Sequence, residues 1–192
     1  TSGWGASALD MRTTVSPYVE PEKQFIAQEL AHFYDLPMFA FGGFSDSKLV
    51  DQQAGIEAAL TLMTNTLSGS HLVHDMGYLE SGLTGSFAQL VICDELLSWI
   101  KTALMPVEIN DETLALDVID KVGPDGQFID NEHTLTHFRS RWYPTLIDRN
   151  NYDGWIAKGG QDLGQRAAAR VEHILAEHKP EPLPTDIQKR LR

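Results

Sequence analysis

Apolar runs that end in polar, glycine-rich loops alternate with 3.6-residue patterns through residues 1–105. Residues 4–14, ending in Asp10-Met-Arg-Thr-Thr14, predict a strand end, followed by a loop with Pro17 and Pro21. Pro21 suits the first turn of a helix over 21–35, and Glu22 complements its positive end. Phe25, Ile26, Leu30 and Phe33 recur along it at helical spacing. Pro37 to Phe41 predicts a strand ended by Gly42-Gly43. The loop Phe44-Ser-Asp-Ser-Lys48 leads into a helix over 51–67, with Ile56, Leu60, Met63 and Leu67 as its apolar face and Ser68-Gly69 as its stop. Residues 70–76 predict a third strand, with His71 packing inside it. Ser86-Phe-Ala-Gln89 fits a capping box that opens a helix over 87–103, closed by Pro106.

Beyond residue 105 the pattern is wholly helical. A helix over 111–122 stops at Gly123-Pro124, and Asn131 caps another that contains His133-Thr-Leu-Thr-His-Phe-Arg139. Residues 162–178 predict a helix with Val171, Ile174 and Leu175 apolar and Arg166 and Arg170 exposed. The stretch Lys179-Pro-Glu-Pro-Leu-Pro184 predicts an extended linker before a short terminal helix.

Strand, polar loop and helix in succession is the grammar of βα units, whose strand-end loops carry active sites. The expected fold is therefore α/β: part of a βα (TIM-type) barrel over 1–105, then a helical region over 106–192. Eight such units take ~250 residues, and about three are present, so the chain is expected to be the last part of a barrel with a helical tail. It opens at Thr1 on residues that read like the inside of a fold, which also suggests a fragment. Such a fragment is expected to be inactive alone and to self-associate through its open strand edge.

Composition narrows the function. The balance of 15 Lys and Arg against 27 Asp and Glu, net charge −12, argues against nucleic acid and anionic membranes as partners and permits cationic ligands. The single cysteine, Cys93, lies in the apolar run Leu90-Val-Ile-Cys and is expected to pack in the core. With no internal disulfide possible and no apolar stretch near ~20 residues, the expected compartment is the cytoplasm.

The candidate site is inferred from the strand ends. His74, Asp75 and Glu80 follow the third strand and are the candidate acid, base or charge-orienting groups. Asp10 and Arg12, on one strand face, join Asp46, Phe44 and Tyr78 as candidate substrate-binding residues. The aromatic set, which includes Phe39, Phe41 and Phe87, suits a quaternary ammonium through cation–π attraction. Gly42-Gly43 permits positive φ and the close approach of a cofactor, although no dinucleotide or phosphate fingerprint is present. His133 and His137, at i and i+4, have the spacing of zinc ligands, but residue 134 is Thr where HExxH needs Glu, so no metal site is expected.

These segments, in order, resemble the trimethylamine methyltransferase family of corrinoid-dependent methyltransferases. The resemblance rests on Leu9-Asp-Met-Arg-Thr13, Pro21-Glu22, Gly42-Gly43-Phe-Ser-Asp-Ser-Lys48 and Asp51-Gln-Gln-Ala-Gly55. It continues in His74-Asp-Met-Gly-Tyr-Leu-Glu80, Gly85-Ser-Phe87, Glu112 to Ile119 and Val122-Gly123. In the tail it includes His133-Thr-Leu-Thr-His137-Phe, Trp142-Tyr-Pro144 and Asp148-Arg149. It implies a βα barrel of which this is the C-terminal portion. It also implies methyl transfer from a methylated amine to the Co(I) of a corrinoid on a separate partner protein. Some members use pyrrolysine, whereas this sequence has only standard residues, which favours a quaternary amine such as glycine betaine over trimethylamine. In that reading Arg12 holds a substrate carboxylate and Glu80 or Asp75 balances the cation. Two alternatives stand beside it: a non-catalytic binding module for methylated amines or a corrinoid protein, and a metal-dependent hydrolase using His74, His133 and His137.

Overall fold

The computed structural model describes residues 17, 18 and 20–190. The strand expected over 4–14, with Asp10 and Arg12, lies outside them. Helix α1 (Glu20–Phe33) precedes strand β1 (Phe39–Phe41), helix α2 (Gln52–Ser68) and strand β2 (Leu72–His74). β1 and β2 pair in parallel, with Phe39 opposite Leu72, Ala40 opposite Val73 and Phe41 opposite His74. Because α2 connects two parallel strands, β1–α2–β2 is a βαβ unit. β3 (Tyr78–Leu79) and β4 (Thr84–Gly85) form a short antiparallel pair around a 3-10 turn at Glu80–Gly82. The protein is thus mixed α/β, and its described strands make two separate two-stranded sheets.

Local chemistry sets these helix ends. Asp51 accepts the Ala54 N–H to open α2, and Gly69 closes it in the left-handed conformation at φ 76°. Ser86 accepts the Gln89 N–H to open α3 (Phe87–Ala103). The expected capping box is only half made, because the Gln89 side chain is fully buried and donates to the Ala54 carbonyl of α2 instead. α3 lies at the centre of the core. Cys93 and Ile100 pack with Ala58 and Leu62 of α2, while Ile92 packs with Leu146 and Ala167. A fully buried aliphatic side chain of this kind contributes about 1.5–3 kcal/mol.

The C-terminal elements are all helical, and their bounds differ from expectation. The single helix expected over 111–122 is broken into α4 (Asp111–Leu114) and α5 (Leu116–Val122) by Ala115, which sits left-handed at φ 47°. α6 (Glu132–His137) is capped by Asn131, as expected. α7 (Tyr152–Ala157), capped by Asn151, was not anticipated; Gly154 in its first turn hides it from periodicity. α8 (Leu163–Glu177) opens with a full capping box between Asp162 and Gln165, and α9 (Thr185–Arg190) follows the proline-rich link. On α8, Arg166 is half-buried rather than exposed, because it donates to the Leu146 carbonyl at 2.9 Å. No helix among the described residues is long and apolar enough to cross a membrane.

The inward faces of α1 and α2 are not those the apolar periodicity selects. On α1, Gln24 and Gln28 are buried while Phe25, Ile26, Leu30 and Phe33 are exposed. On α2, Ile56, Leu60 and Leu67 are exposed, and Ala54, Ala58, Thr61, Leu62, Thr64 and Asn65 face inward. Small side chains on α2 let α1 and α3 approach it closely. The polar ones are satisfied locally: Thr61 donates to the Glu57 carbonyl at 2.8 Å and Thr64 to that of Leu60 at 2.9 Å.

Candidate functional site

The two loops that leave the C-terminal ends of β1 and β2 stay hydrogen-bonded to each other. The Gly42 N–H donates to the His74 carbonyl at 3.0 Å, and the Gly77 N–H to that of Gly43 at 3.1 Å. Further out, the Ser45 N–H reaches the Tyr78 carbonyl at 3.0 Å, and the Glu80 N–H reaches that of Ser47 at 2.8 Å. Residues 42–47 and 74–81 therefore form one surface, which brings Asp46, His74, Asp75, Tyr78 and Glu80 to the same end of the parallel pair.

Packing explains the glycines. A Cβ on Gly42 would meet Asn65 Nδ2 at 2.8 Å and Val73 Cγ1 at 2.9 Å. Gly43 lies at φ +78°, and a Cβ there would meet Met76 Cγ at 2.8 Å and Cys93 Sγ at 3.1 Å. The close approach that both glycines allow is thus to the protein's own atoms. Phe44 is also turned inward, at 1% exposure. Glu57 on α2 holds the loop between them. Its Oε2 accepts the Ser45 hydroxyl at 2.5 Å and the Asp46 N–H at 2.8 Å.

His74 Nδ1 lies 2.6 Å from Asp75 Oδ1, a contact that places the proton on Nδ1. The imidazole stacks on Phe39 with ring centroids 4.1 Å apart and leans against Phe41 at 4.5 Å. Its Nε2 is buried without a hydrogen-bond partner, so an oriented ring carries an uncommitted nitrogen. The following loop is strained. Asp75, Glu80 and Ser81 have φ values of 74°, 50° and 56°, a left-handed region that costs non-glycine residues of order 1–3 kcal/mol each and that clusters at functional sites. Glu80 is half-buried and accepts the Thr84 hydroxyl at 3.3 Å. Tyr78 is 41% exposed and, with Phe87, Met76 and Leu90, lines an adjacent cleft of about 260 Å³ that the carboxylates do not enter.

Other candidates are placed differently. His71 is exposed rather than packed in the strand, and its Nδ1 accepts the Met38 N–H at 3.1 Å. His133 and His137 come together with Glu112, and His74 is not part of that group. Sequence reasoning missed Glu57, Ser45 and Ser47, which shape the Asp46 loop, because a carboxylate in the middle of a helix carries no signal of the loop it will meet. Cys93 is buried as expected, and burial pushes its thiol up to about 11.

A family model described as trimethylamine methyltransferase (MTTB) matches residues 3–192. The chain belongs to the trimethylamine methyltransferase family. Among its relatives is a trimethylamine methyltransferase MttB of Desulfitobacterium hafniense, 38% identical over 99% of this chain and 39% of that protein. The MttB of Methanosarcina thermophila is 35% identical over 97% of this chain and 39% of that protein. A glycine betaine methyltransferase of Desulfitobacterium hafniense is 38% identical over 97% of this chain and 40% of that protein. The chain thus spans about two-fifths of the length of these family members. Their names join two substrates, one tertiary and one quaternary amine, on a shared sequence framework.

Proposed function

We propose that this chain is the C-terminal part of a βα-barrel methyltransferase that moves a methyl group from a quaternary amine to the Co(I) of a corrinoid carried by a partner protein. The observation that carries this reading is the single surface formed by the loops after β1 and β2, with Asp75, Glu80 and Tyr78 on it. In βα barrels that end of the strands holds the active site. The parallel βαβ unit and the exposed apolar faces of α1 and α2 support the barrel, whose closure would cover them.

The chemistry asks little of the protein. A Co(I) corrinoid would supply the nucleophile that takes the methyl group, and a quaternary amine would leave as a neutral tertiary amine that keeps the electron pair of the broken C–N bond. The site must cage the cation, align one methyl and exclude water. Asp75 and Glu80 balance the positive charge, Tyr78 offers a π face, and the His74–Asp75 pair fixes the orientation of the Asp75 carboxylate. Arg12, outside the described residues, would hold a substrate carboxylate. The corrinoid is a co-substrate on its partner. Gly42 and Gly43 are flanked by protein atoms, and their part would be to shape the loop offered to it. A Co(I) acceptor suits the reducing cytoplasm.

The test uses the whole protein that contains this chain, mixed with reduced corrinoid and a panel of methylated amines. Methyl-Co(III) absorption with glycine betaine or another quaternary amine is expected, with affinity for that amine lowered in Glu80→Gln. Amine binding without methyl transfer to any corrinoid would overturn the reading in favour of a binding module.

A further inference from the structure

We propose that Glu112, His133 and His137 form a binding site for a divalent transition metal of the zinc class, which ties α4 to α6. α6 sets the two histidines one turn apart on one face, with ring centroids 4.4 Å apart. α4 brings the Glu112 carboxylate across to them. Glu112 Oε1 lies 2.8 Å from His137 Nε2 and 3.8 Å from His133 Nε2, and the three donor atoms fall within 4.8 Å of one another. Donors held tetrahedrally at ~2.0–2.1 Å from zinc stand roughly 3.3–3.4 Å apart, so the two measured separations straddle the required value.

The donor set also fits. Two imidazoles and a carboxylate are a common three-ligand zinc set, with the fourth position left for water. The histidine side chains are 26% and 40% exposed, so an ion can reach them from solvent. Beside them opens a cleft of about 410 Å³, lined among others by Asp111, Asp117, Glu132 and Lys121. Three carboxylates against one ammonium make that cleft attractive to a cation.

Without metal, His133 Nε2 lies 2.9 Å from the Glu112 carbonyl and His137 Nε2 lies 2.8 Å from its carboxylate. Each contact needs a proton on Nε2. Metal binding at Nε2 therefore breaks both contacts and moves those protons to Nδ1 or releases them to solvent. The benefit is structural. Residues 101–114 are exposed throughout, and the Glu112 contacts are what join them to α6. A metal staple would hold the segment where hydrophobic burial does not.

The whole protein that contains this chain, stripped with a chelator, is titrated with Zn²⁺ by calorimetry and with Co²⁺ by visible absorption. The expected result is one equivalent bound, a four- or five-coordinate Co(II) spectrum, and a melting temperature that rises with Zn²⁺. His137→Ala and Glu112→Gln should each weaken binding about tenfold or more, and Asp153→Asn, on α7 and outside this cleft, should leave it nearly unchanged. Circular dichroism of each variant checks that it folds. No stoichiometric binding to the parent protein, or binding that survives in folded His133→Ala/His137→Ala, would overturn the proposal and leave a hydrogen-bonded cluster only.

Discussion

The Glu95 carboxylate accepts the Leu146 backbone N–H at 2.9 Å, across 51 residues of sequence. The same oxygen takes the N–H groups of Thr145 and Ile147 at 2.8 and 3.1 Å, and its partner takes the Thr145 hydroxyl at 2.7 Å. From the other side, Arg166 of α8 donates to the Leu146 carbonyl. An acid on α3 and a base on α8 thus hold one loop residue by both of its backbone groups, while the Leu146 side chain fills the gap between Ile92 and Ala167. The helical tail is fastened to the βα unit at this point.

Glu95 should make folding stability depend on pH. Burial raises its carboxyl, but the hydrogen bonds from Leu146, Thr145 and Ile147 outweigh burial and leave it below the ordinary 4.5. A group lowered on folding stabilises fully above its unfolded pKa, and that contribution fades as pH falls through the lowered value. Denaturant unfolding from about pH 6 to 3 should show stability falling with acid, and Glu95→Gln should flatten that slope. At pH 7 the substitution should cost about 1–3 kcal/mol, because a neutral amide oxygen replaces the charged acceptor of three backbone N–H groups. An unchanged slope in the variant would remove Glu95 from this role.

Two glycines separate strain from crowding. Both Gly43 and Gly82 have positive φ, but a Cβ on Gly43 meets Met76 and Cys93, whereas one on Gly82 meets nothing within 4 Å. Gly82→Ala should cost only the backbone term, about 1–2 kcal/mol. Gly43→Ala should cost about 2–4 kcal/mol, since overpacking adds to it. Denaturation midpoints of the two variants test this directly, and equal losses would mean that the core yields around Gly43.

The contrast between faces and positions shows what could be read in advance. Helices were legible where caps and spacing agree, as at Ser86 and Asn131. Their inward faces were not, because on α2 close helix approach favours small and internally bonded side chains over the bulky apolar ones. The site was legible as two loops, since a glycine-rich exit from an apolar strand is a local signal. That the loops bond to each other depends on the register of the parallel pair, from Phe39 opposite Leu72 to Phe41 opposite His74, which no local pattern encodes. The His133 and His137 spacing was visible in the same way, while their partner Glu112 arrives through a break at Ala115 that periodicity runs straight across.

Cys93 should be chemically silent in the folded chain. Burial lifts its thiol to about 11, and the thiol donates to the Gly43 carbonyl at 3.2 Å. At pH 8 about a thousandth of it would be thiolate, the reactive form. Labelling with a disulfide reagent should therefore be slow in buffer and accelerate in step with unfolding as denaturant is added. Fast labelling in buffer, with the fold intact, would mean that α3 opens locally around Cys93.

Glu57 should control the order of the Asp46 loop more than the stability of the whole. Its Oε2 binds the Ser45 hydroxyl and the Asp46 N–H, and Oε1 takes the Gln53 side chain at 3.0 Å. Hydrogen bonds to a charged acceptor contribute about 1.5–3 kcal/mol, so Glu57→Ala should speed exchange of the Asp46 amide by about 10- to 100-fold. Amides in the middle of α3, which do not depend on Glu57, should slow-exchange as before. Glu57→Gln keeps an acceptor for the Asp46 N–H and should fall between the two. If Asp46 exchange is unchanged in Glu57→Ala, the loop is held instead by its backbone pairing with residues 77–81. The placement of Asp46 at the same end of the strands as Asp75 and Glu80 would then follow from the paired loops alone, with α2 serving only as the crossover between the strands.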